Sequence, residues 1–498
     1  MVNSAQGTSS ARPAEESGER LPQGAGRVAW NRWFGGARAA EAARRWRVEP
    51  ASIEPGGLGG PKRIRSEGES SPLKLLFINQ YYYPDHASTA QHLTDLVETL
   101  ASQGHECHVL CAQGRYKPGA PRPPAFEVHN GVHIHRVPAT SLGRKNTFTR
   151  MADYLSFYAR ALAVGVRLPR FDVIVTLTTP PIIGLIGTLL RRFKKSQHIY
   201  WSMDLHPDAS LALGRMSRRN PVVAFLAWLS DFVYRQADKV VVLGPYMADR
   251  IIAKGVRPDR VATIPVWSRK EEIYPLDRDG NSLREELGLR GRFVAMYSGN
   301  LGLAHSSNEF LEAARRLRDR PEIVFLFVGD GPRMAEVRDA QRAEELSNIR
   351  FLDYFPREQL HASLSLADVH LISMRDEMTG IVVPGKLYGV MASGRPAIFV
   401  GPAHCETADT IREAGCGFTV RIDDAGALVE AIMHLEADPE QAQEMGASGR
   451  LAFLETHERG PCCAQWARTV GSLVSRSEPR LAGRTLVTSA SSDRMTGP

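Results

Sequence analysis

The sequence predicts an α/β protein made of two successive doubly wound, Rossmann-like domains facing a cleft. Short apolar runs of buried-strand type alternate with helix-length amphipathic stretches, and they do so twice over. A polar segment, PVWSRKEEIYPLDRDGNSLREELGLRGR, separates the two series. At 498 residues and 43% apolar content, the chain is also long enough for two large cores.

Residues 1–70 are rich in Gly, Pro, Ser, Ala and Arg and read as a disordered extension. Within them VAWNRWFGGARAAEAARRWRV sets Trp30, Trp33, Phe34 and Trp46 among arginines, a pattern open to two readings: an interfacial helix or an unstructured tail. Order begins at LKLLFINQ and runs through an N-terminal domain, residues 71–270. Its next element, AQHLTDLVETLASQGH, has helical apolar spacing and a stop at Gly104. Strands then follow at ECHVLCAQ, VHIHRVP, FDVIVTLT, HIYWSMD and KVVVLG. A C-terminal domain, residues 271–455, carries strands FVAMYSGN, IVFLFVGDG, IRFLDYF, DVHLISM, PAIFVG and GFTV, with helices such as SSNEFLEAARRLRD between them. Residues 456–480 read as a final helix and 481–498 as a second disordered tail.

A net charge of +7 and a pI near 9.1 fit an anionic partner, whether phosphate groups, an acidic membrane face or nucleic acid, and equally a solvated basic surface. Neither domain opens with G-x-G-x-x-G, which argues against a nicotinamide oxidoreductase. Six cysteines without a C-x-x-C pair read as reduced, structural thiols of a cytosolic protein. No signal-peptide apolar region and no uncharged run of membrane-spanning length is visible.

In doubly wound sheets ligands bind beyond the carboxyl ends of the strands, so four strand-end loops are the candidate chemistry. In QYYYPDHASTAQ, His86, Ser88 and Thr89 precede a helix start; they can face an anion or simply cap the helix. In WSMDLHPDASLALG, Asp204 and Asp208 flank a rigid His-Pro; they can orient hydroxyls or take a proton, and Asp208 can equally cap the next helix. MYSGNLGLAHSS offers Gly299 and Gly302 for close backbone approach, with amides around Leu301 to cradle a diphosphate, and GDGP adds Gly329 and Gly331. The fourth loop, EMTGIVVPGKLYGVMASGRP, joins Glu377, Thr379 and Gly380 to Lys386 in the first turn of a helix. A cation there opposes the helix dipole unless an anion is bound, although an exposed lysine would tolerate the conflict.

Taken in order, SGNLG, FVGDGP, FLDYFPREQL, ADVHLISM and VVPGKLYGVMASGRPAI resemble the nucleotide-sugar half of glycosyltransferase family 4. NQYYYPD and WSMDLHPDASLALG resemble the acceptor half of its bacterial capsule, O-antigen and colanic-acid-type subgroup. The resemblance runs from about Leu73 to Leu473 and implies a GT-B fold whose last helix crosses back to the N-terminal domain. It also implies transfer from a nucleoside diphosphate-sugar with retained anomeric configuration, and neither a cofactor nor a metal. Glu377, Lys386 and Asp204 take the catalytic places. Gly299, Asn300, Leu301, Gly302, His305, Gly329, Gly331, Phe355, Thr379, Gly380, Ile381 and Val382 take the donor-binding ones, and His86, Ser88, Thr89 and Asp208 the acceptor-binding ones. Three positions depart from the family pattern. Its second glutamate, which holds the ribose, falls on Gly385, or on Gly389 if an extra turn is allowed. Its phosphate-binding Arg and Lys correspond to Asn300 and His305.

TTPPIIGLIGTLLRRFKKSQ ends in the cationic cluster Arg191, Arg192, Lys194 and Lys195, and NPVVAFLAWLSDFVYRQ is apolar with a tryptophan. Both suit docking on an anionic leaflet to reach a lipid-linked saccharide acceptor, and both suit ordinary packing on the sheet. The expectation is a peripheral enzyme on the cytoplasmic face of the plasma membrane, with no nucleic-acid partner. The rival readings are a non-catalytic sugar-nucleotide-binding scaffold and a GT-B nucleotide-sugar epimerase.

Overall fold

Fourteen strands form two sheets in a computed structural model that describes residues 71–475 except 86, 115–121 and 141–146. The first sheet comprises β1 (Lys74–Ile78), β2 (Glu106–Ala112), β3 (Phe126–His129), β4 (Val132–Val137), β5 (Val173–Thr176), β6 (Gln197–Trp201), β7 (Lys239–Val242) and β8 (Val261–Thr263). Its spatial order is β3-β4-β2-β1-β5-β6-β7-β8, parallel throughout except for the β3–β4 pair. The second comprises β9 (Phe293–Ser298), β10 (Ile323–Val328), β11 (Ile349–Leu352), β12 (Val369–Ser373), β13 (Ala397–Val400) and β14 (Gly417–Val420), in the order β11-β10-β9-β12-β13-β14 and all parallel. The fold is the α/β, GT-B arrangement of two Rossmann-like lobes.

The apolar runs become strands because helices cover both faces of each sheet. Every residue of β10 (IVFLFV) and β12 (VHLIS) is buried, as parallel strands require. The order of strand addition reverses at β1/β5 in the first sheet and at β9/β12 in the second, opening a crevice at the carboxyl ends of each pair.

Two strands lie outside the sequence expectation. β3 pairs antiparallel with β4 through the two-residue turn Asn130-Gly131, both with positive φ (48° and 79°), which is the backbone a tight hairpin demands. β8 is only three residues long, below the length at which an apolar run stands out.

The final helix, Arg459–Ser475, returns to the first lobe and packs on the helix Ser88–Ser102. Gln465 Nε2 donates to the Thr263 carbonyl (2.9 Å), and the rings of Trp466 and Trp201 lie 4.7 Å apart. Trp201 in turn stacks on Trp267 at 5.9 Å, so three buried indoles from distant parts of the chain close this corner. All six cysteines are free and buried.

Candidate active site

A cavity of about 530 Å³ opens between the lobes. The first lobe contributes Ser88, Thr89, His92, Asp95 and Asp204 to its wall, and the second Asn300, His305, Val382 and Lys386. Arg269 and Glu272, from the segment between the sheets, and Arg357 complete one side.

Lys386 is the centre of the second lobe's side of the cavity. It is the first residue of the short helix Lys386–Ala392, and its Nζ reaches back under the loop that follows β9. Nζ donates to the Tyr297 hydroxyl and to the Asn300 carbonyl (2.8 Å), lies 3.3 Å from His305 Nε2, and sits 4.3 Å from the centre of the Tyr297 ring. His305 Nδ1 donates to the Ser373 carbonyl at the end of β12, which leaves Nε2 as the acceptor facing the ammonium. Burial, and then the Lys386 charge, pull the His305 pKa down to about 3, so the ring is neutral at physiological pH. Burial raises Tyr297, which stays a phenol. Burial lowers Lys386 itself to about 7, because its three neighbours are neutral.

Glycines make this approach possible. Gly299 has φ +118°, and a Cβ there would stand 2.8 Å from Lys386 Cε. Gly331, at φ +139°, lies against the Leu301 carbonyl, which a Cβ would meet at 2.5 Å. The loops after β9 and β10 are thereby locked together: Leu301 N donates to the Asp330 carbonyl (2.8 Å), and Arg333 N to the Leu301 carbonyl (3.2 Å). The Leu301 amide is thus engaged within the protein and is not offered to a diphosphate as the sequence suggested. Gly302 carries the turn to His305, whose N–H it accepts at 3.1 Å.

On the first lobe's side, Asp204 follows β6 and faces the cavity; burial raises its pKa, with His206 opposing. Ser88 and Thr89 open the helix Ser88–Ser102, but its N-cap is Ala87 and no side chain caps it, so the capping role is not taken. Asp208 does not reach the cavity wall. Its carboxylate pairs with Lys254 (3.0 Å), which also holds Asp231 (2.9 Å), and the cap of its short helix is Pro207. His86 lies outside the described residues.

The rest of the opening motif divides. Glu377 sits on a 3₁₀ turn with its side chain half exposed, 3.4 Å from Arg375, and is not part of the cavity wall. Thr379, Gly380 and Ile381 instead join the lobes. The Thr379 carbonyl accepts from Arg250 Nε (2.7 Å) and the Ile381 carbonyl from Leu205 N (3.1 Å), while Gly380 leaves no room for a Cβ against the Tyr246 carbonyl (2.5 Å). Phe355 packs half-buried against the core.

Sequence reasoning missed the polar wall beside the cavity. Asp95 accepts from Trp267 Nε1 (2.8 Å) and pairs with Arg269; Arg269 reaches Glu272 (2.8 Å), and Glu272 takes a two-pronged contact from Arg357 (2.9 and 3.0 Å). His92 lies edge-on to Trp267, its Nδ1 buried without a hydrogen-bond partner, and burial next to Arg269 and Arg357 lowers its pKa to about 4. The available signal was WSRKEE, an aromatic among charges in a segment otherwise read as a linker. The predicted cationic cluster is also partly structural. Arg191 pairs with Asp238, and the Lys194 ammonium is held by the Val166 and Leu168 carbonyls, which leaves Arg192 and Lys195 exposed. Among the described residues no group of three or more His, Cys, Asp or Glu could hold a metal ion, and no helix is long and apolar enough to cross a membrane.

Two facing Rossmann-like lobes with a cleft between them are the GT-B arrangement. The family models agree: residues 89–267 match the glycosyl transferase 4-like domain and residues 280–452 match glycosyl transferases group 1. The chain belongs to the family 4 type of GT-B glycosyltransferases. WcaI of Escherichia coli K12, whose name assigns it to colanic acid biosynthesis, is 26% identical over 72% of this chain and 91% of its own. WbjE of Pseudomonas aeruginosa, named as a glycosyltransferase, is 24% identical over 66% and 81%. Among solved structures, sucrose-phosphate synthase of Thermosynechococcus elongatus aligns with a TM-score of 0.66 at 18% identity, covering 81% of this chain and all of its own. HepE of Anabaena, solved with UDP-glucose, aligns at 0.60 and 16%, covering 80% of this chain and all of its own.

Proposed function

We propose that this glycosyltransferase moves a sugar from a nucleoside diphosphate-sugar to a lipid-linked saccharide, with retention, in bacterial cell-surface polysaccharide synthesis. The observation that carries the reading is Lys386, half-buried at the cavity wall, whose Nζ has only neutral acceptors around it. Such a group has no internal counter-charge and is suited to an arriving anion. The names of WcaI and HepE's ligand point the same way.

In the reaction the bond between sugar C1 and the diphosphate oxygen breaks, and negative charge grows on the leaving phosphate. Lys386 meets that charge where it develops. An acceptor hydroxyl enters from the same face, its oxygen bonds to C1, and its proton passes to the departing phosphate oxygen; no metal is required in this scheme. Asp204 faces the cavity from the acceptor lobe and orients the incoming hydroxyl. Glu377, outside the wall, enters only through the family resemblance. Its contact with the donor sugar would need the turn Asp376–Met378 to swing inward. The lipid-linked acceptor places the work at the cytoplasmic leaflet of the plasma membrane.

A thermal-shift screen of nucleoside diphosphates and their sugar derivatives tests the reading, since a ligand that binds only the folded chain raises Tm. At least one diphosphate should raise it in the wild type and fail to do so in Lys386→Ala. If no nucleotide shifts the wild type, the donor assignment is wrong.

A further inference from the structure

The helix Pro221–Gln236 is capped by Asn220, whose side-chain oxygen accepts from Val222 N (2.9 Å), and it starts on Pro221. Its inner stripe, Val223, Ala227, Ser230, Val233 and Tyr234, is buried against the first sheet. The opposite face is not polar. Val222 is 62% exposed, Phe225 56% and Trp228 56%, and the rings of Phe225, Trp228 and half-buried Phe232 form a ladder with successive spacings of 5.9 Å. Surface helices of soluble proteins carry charges on such a face.

Just before the helix, Arg215, Met216, Arg218 and Arg219 are all exposed. Between Asp208 and Asp231 there is no acidic residue, and those two flanking carboxylates share Lys254. The patch is therefore apolar along its ridge, cationic at its leading end and without an acidic residue of its own. Only one bulk surface offers apolar depth beneath a negative layer in that arrangement: an anionic lipid leaflet.

We infer that the segment Arg215–Trp228 is the membrane-docking surface, with the arginines on lipid phosphates and the Val222–Phe225–Trp228 ridge in the acyl boundary. This rests on the lipid-linked acceptor proposed above; it keeps the apolar helix that the sequence offered and moves the cationic part of the contact from Arg191–Lys195 to Arg215–Arg219. It also links docking to the site. Ser230 Oγ donates to the His206 carbonyl (2.8 Å), in the loop that carries Asp204 to the cavity.

The test is co-sedimentation of the full chain with phosphatidylcholine vesicles, with and without phosphatidylglycerol, at low salt. Wild type should prefer the anionic vesicles. Phe225→Ser with Trp228→Ser, and separately Arg215→Gln with Arg218→Gln and Arg219→Gln, should each weaken that binding about tenfold or more. Arg192→Gln with Lys195→Gln should change it far less. Quenching of tryptophan fluorescence by acyl-brominated lipid should fall in Trp228→Phe, a variant whose exposed site leaves folding intact. Equal binding by wild type and both patch variants, with unaltered quenching in Trp228→Phe, overturns this surface and leaves the membrane reading standing. Failure of the wild type to bind anionic vesicles overturns both.

Discussion

Binding of a nucleoside diphosphate should weaken about 20-fold between about pH 7.5 and about pH 9, and the cause is a single lysine. In the empty site burial holds the Lys386 pKa near 7. A diphosphate beside the ammonium supplies the missing counter-charge and returns the pKa to the usual lysine range or above. Binding therefore takes up a proton wherever the empty site is deprotonated and the complex is not. The sign follows: affinity is fully present below about pH 7 and falls as pH rises, by nearly tenfold per unit above it. Terminal phosphate ionisation lies near pH 6 and is complete before this window opens, so it does not contribute. Neither does His305, neutral throughout, nor Tyr297, raised by burial. Calorimetry in two buffers of different ionisation enthalpy should show uptake of about three-quarters of a proton at about pH 7.5. Lys386→Arg, always charged, should bind with no slope across this range. An identical slope in Lys386→Arg and wild type would refute the assignment of the titration to Lys386.

Gly331→Ala should lower Tm by about 4 °C or more and weaken nucleotide binding, because a Cβ at positive φ against the Leu301 carbonyl pries apart the two donor loops; unchanged Tm and affinity would show that the loops adjust. Asp95→Asn should cost on the order of 3 kcal/mol in urea unfolding, since Arg269 loses a buried counter-charge, and adding Arg269→Gln should recover part of the loss. No recovery in the double variant would mean that the pair is not the unit it resembles.

The two lobes were legible because a parallel strand covered on both faces must be a short apolar run, and such runs cannot hide. β3 escaped although its turn was written in the chain: Asn130-Gly131 between alternating residues is the sequence form of a tight hairpin, overlooked in a stretch read as a loop. The wall beside the cavity was not legible at all. Asp95 and Arg269 are 174 residues apart and meet only because one lobe docks on the segment leading to the other. Glu377 shows the converse failure. Its position in a motif was correct to notice, but spacing does not say which way a side chain turns, and here it turns toward Arg375 and solvent.

The departure from the family pattern at position 305 and the placement of Lys386 are one feature. Nζ lies 3.3 Å from His305 Nε2 and donates to the Asn300 main-chain carbonyl. A second full charge at position 305 would repel it by about 5 kcal/mol at that separation, even with the strong screening usual in proteins. Once Lys386 occupies the space beneath the β9 loop, position 305 must therefore be neutral, and His305 must be buried deeply enough to stay so, as its lowered pKa requires. His305 is thus not a lost cation in a decaying site. Together with the main-chain carbonyl of Asn300 it is a neutral acceptor beside the one lysine, and it argues for a working transferase over a degenerate scaffold.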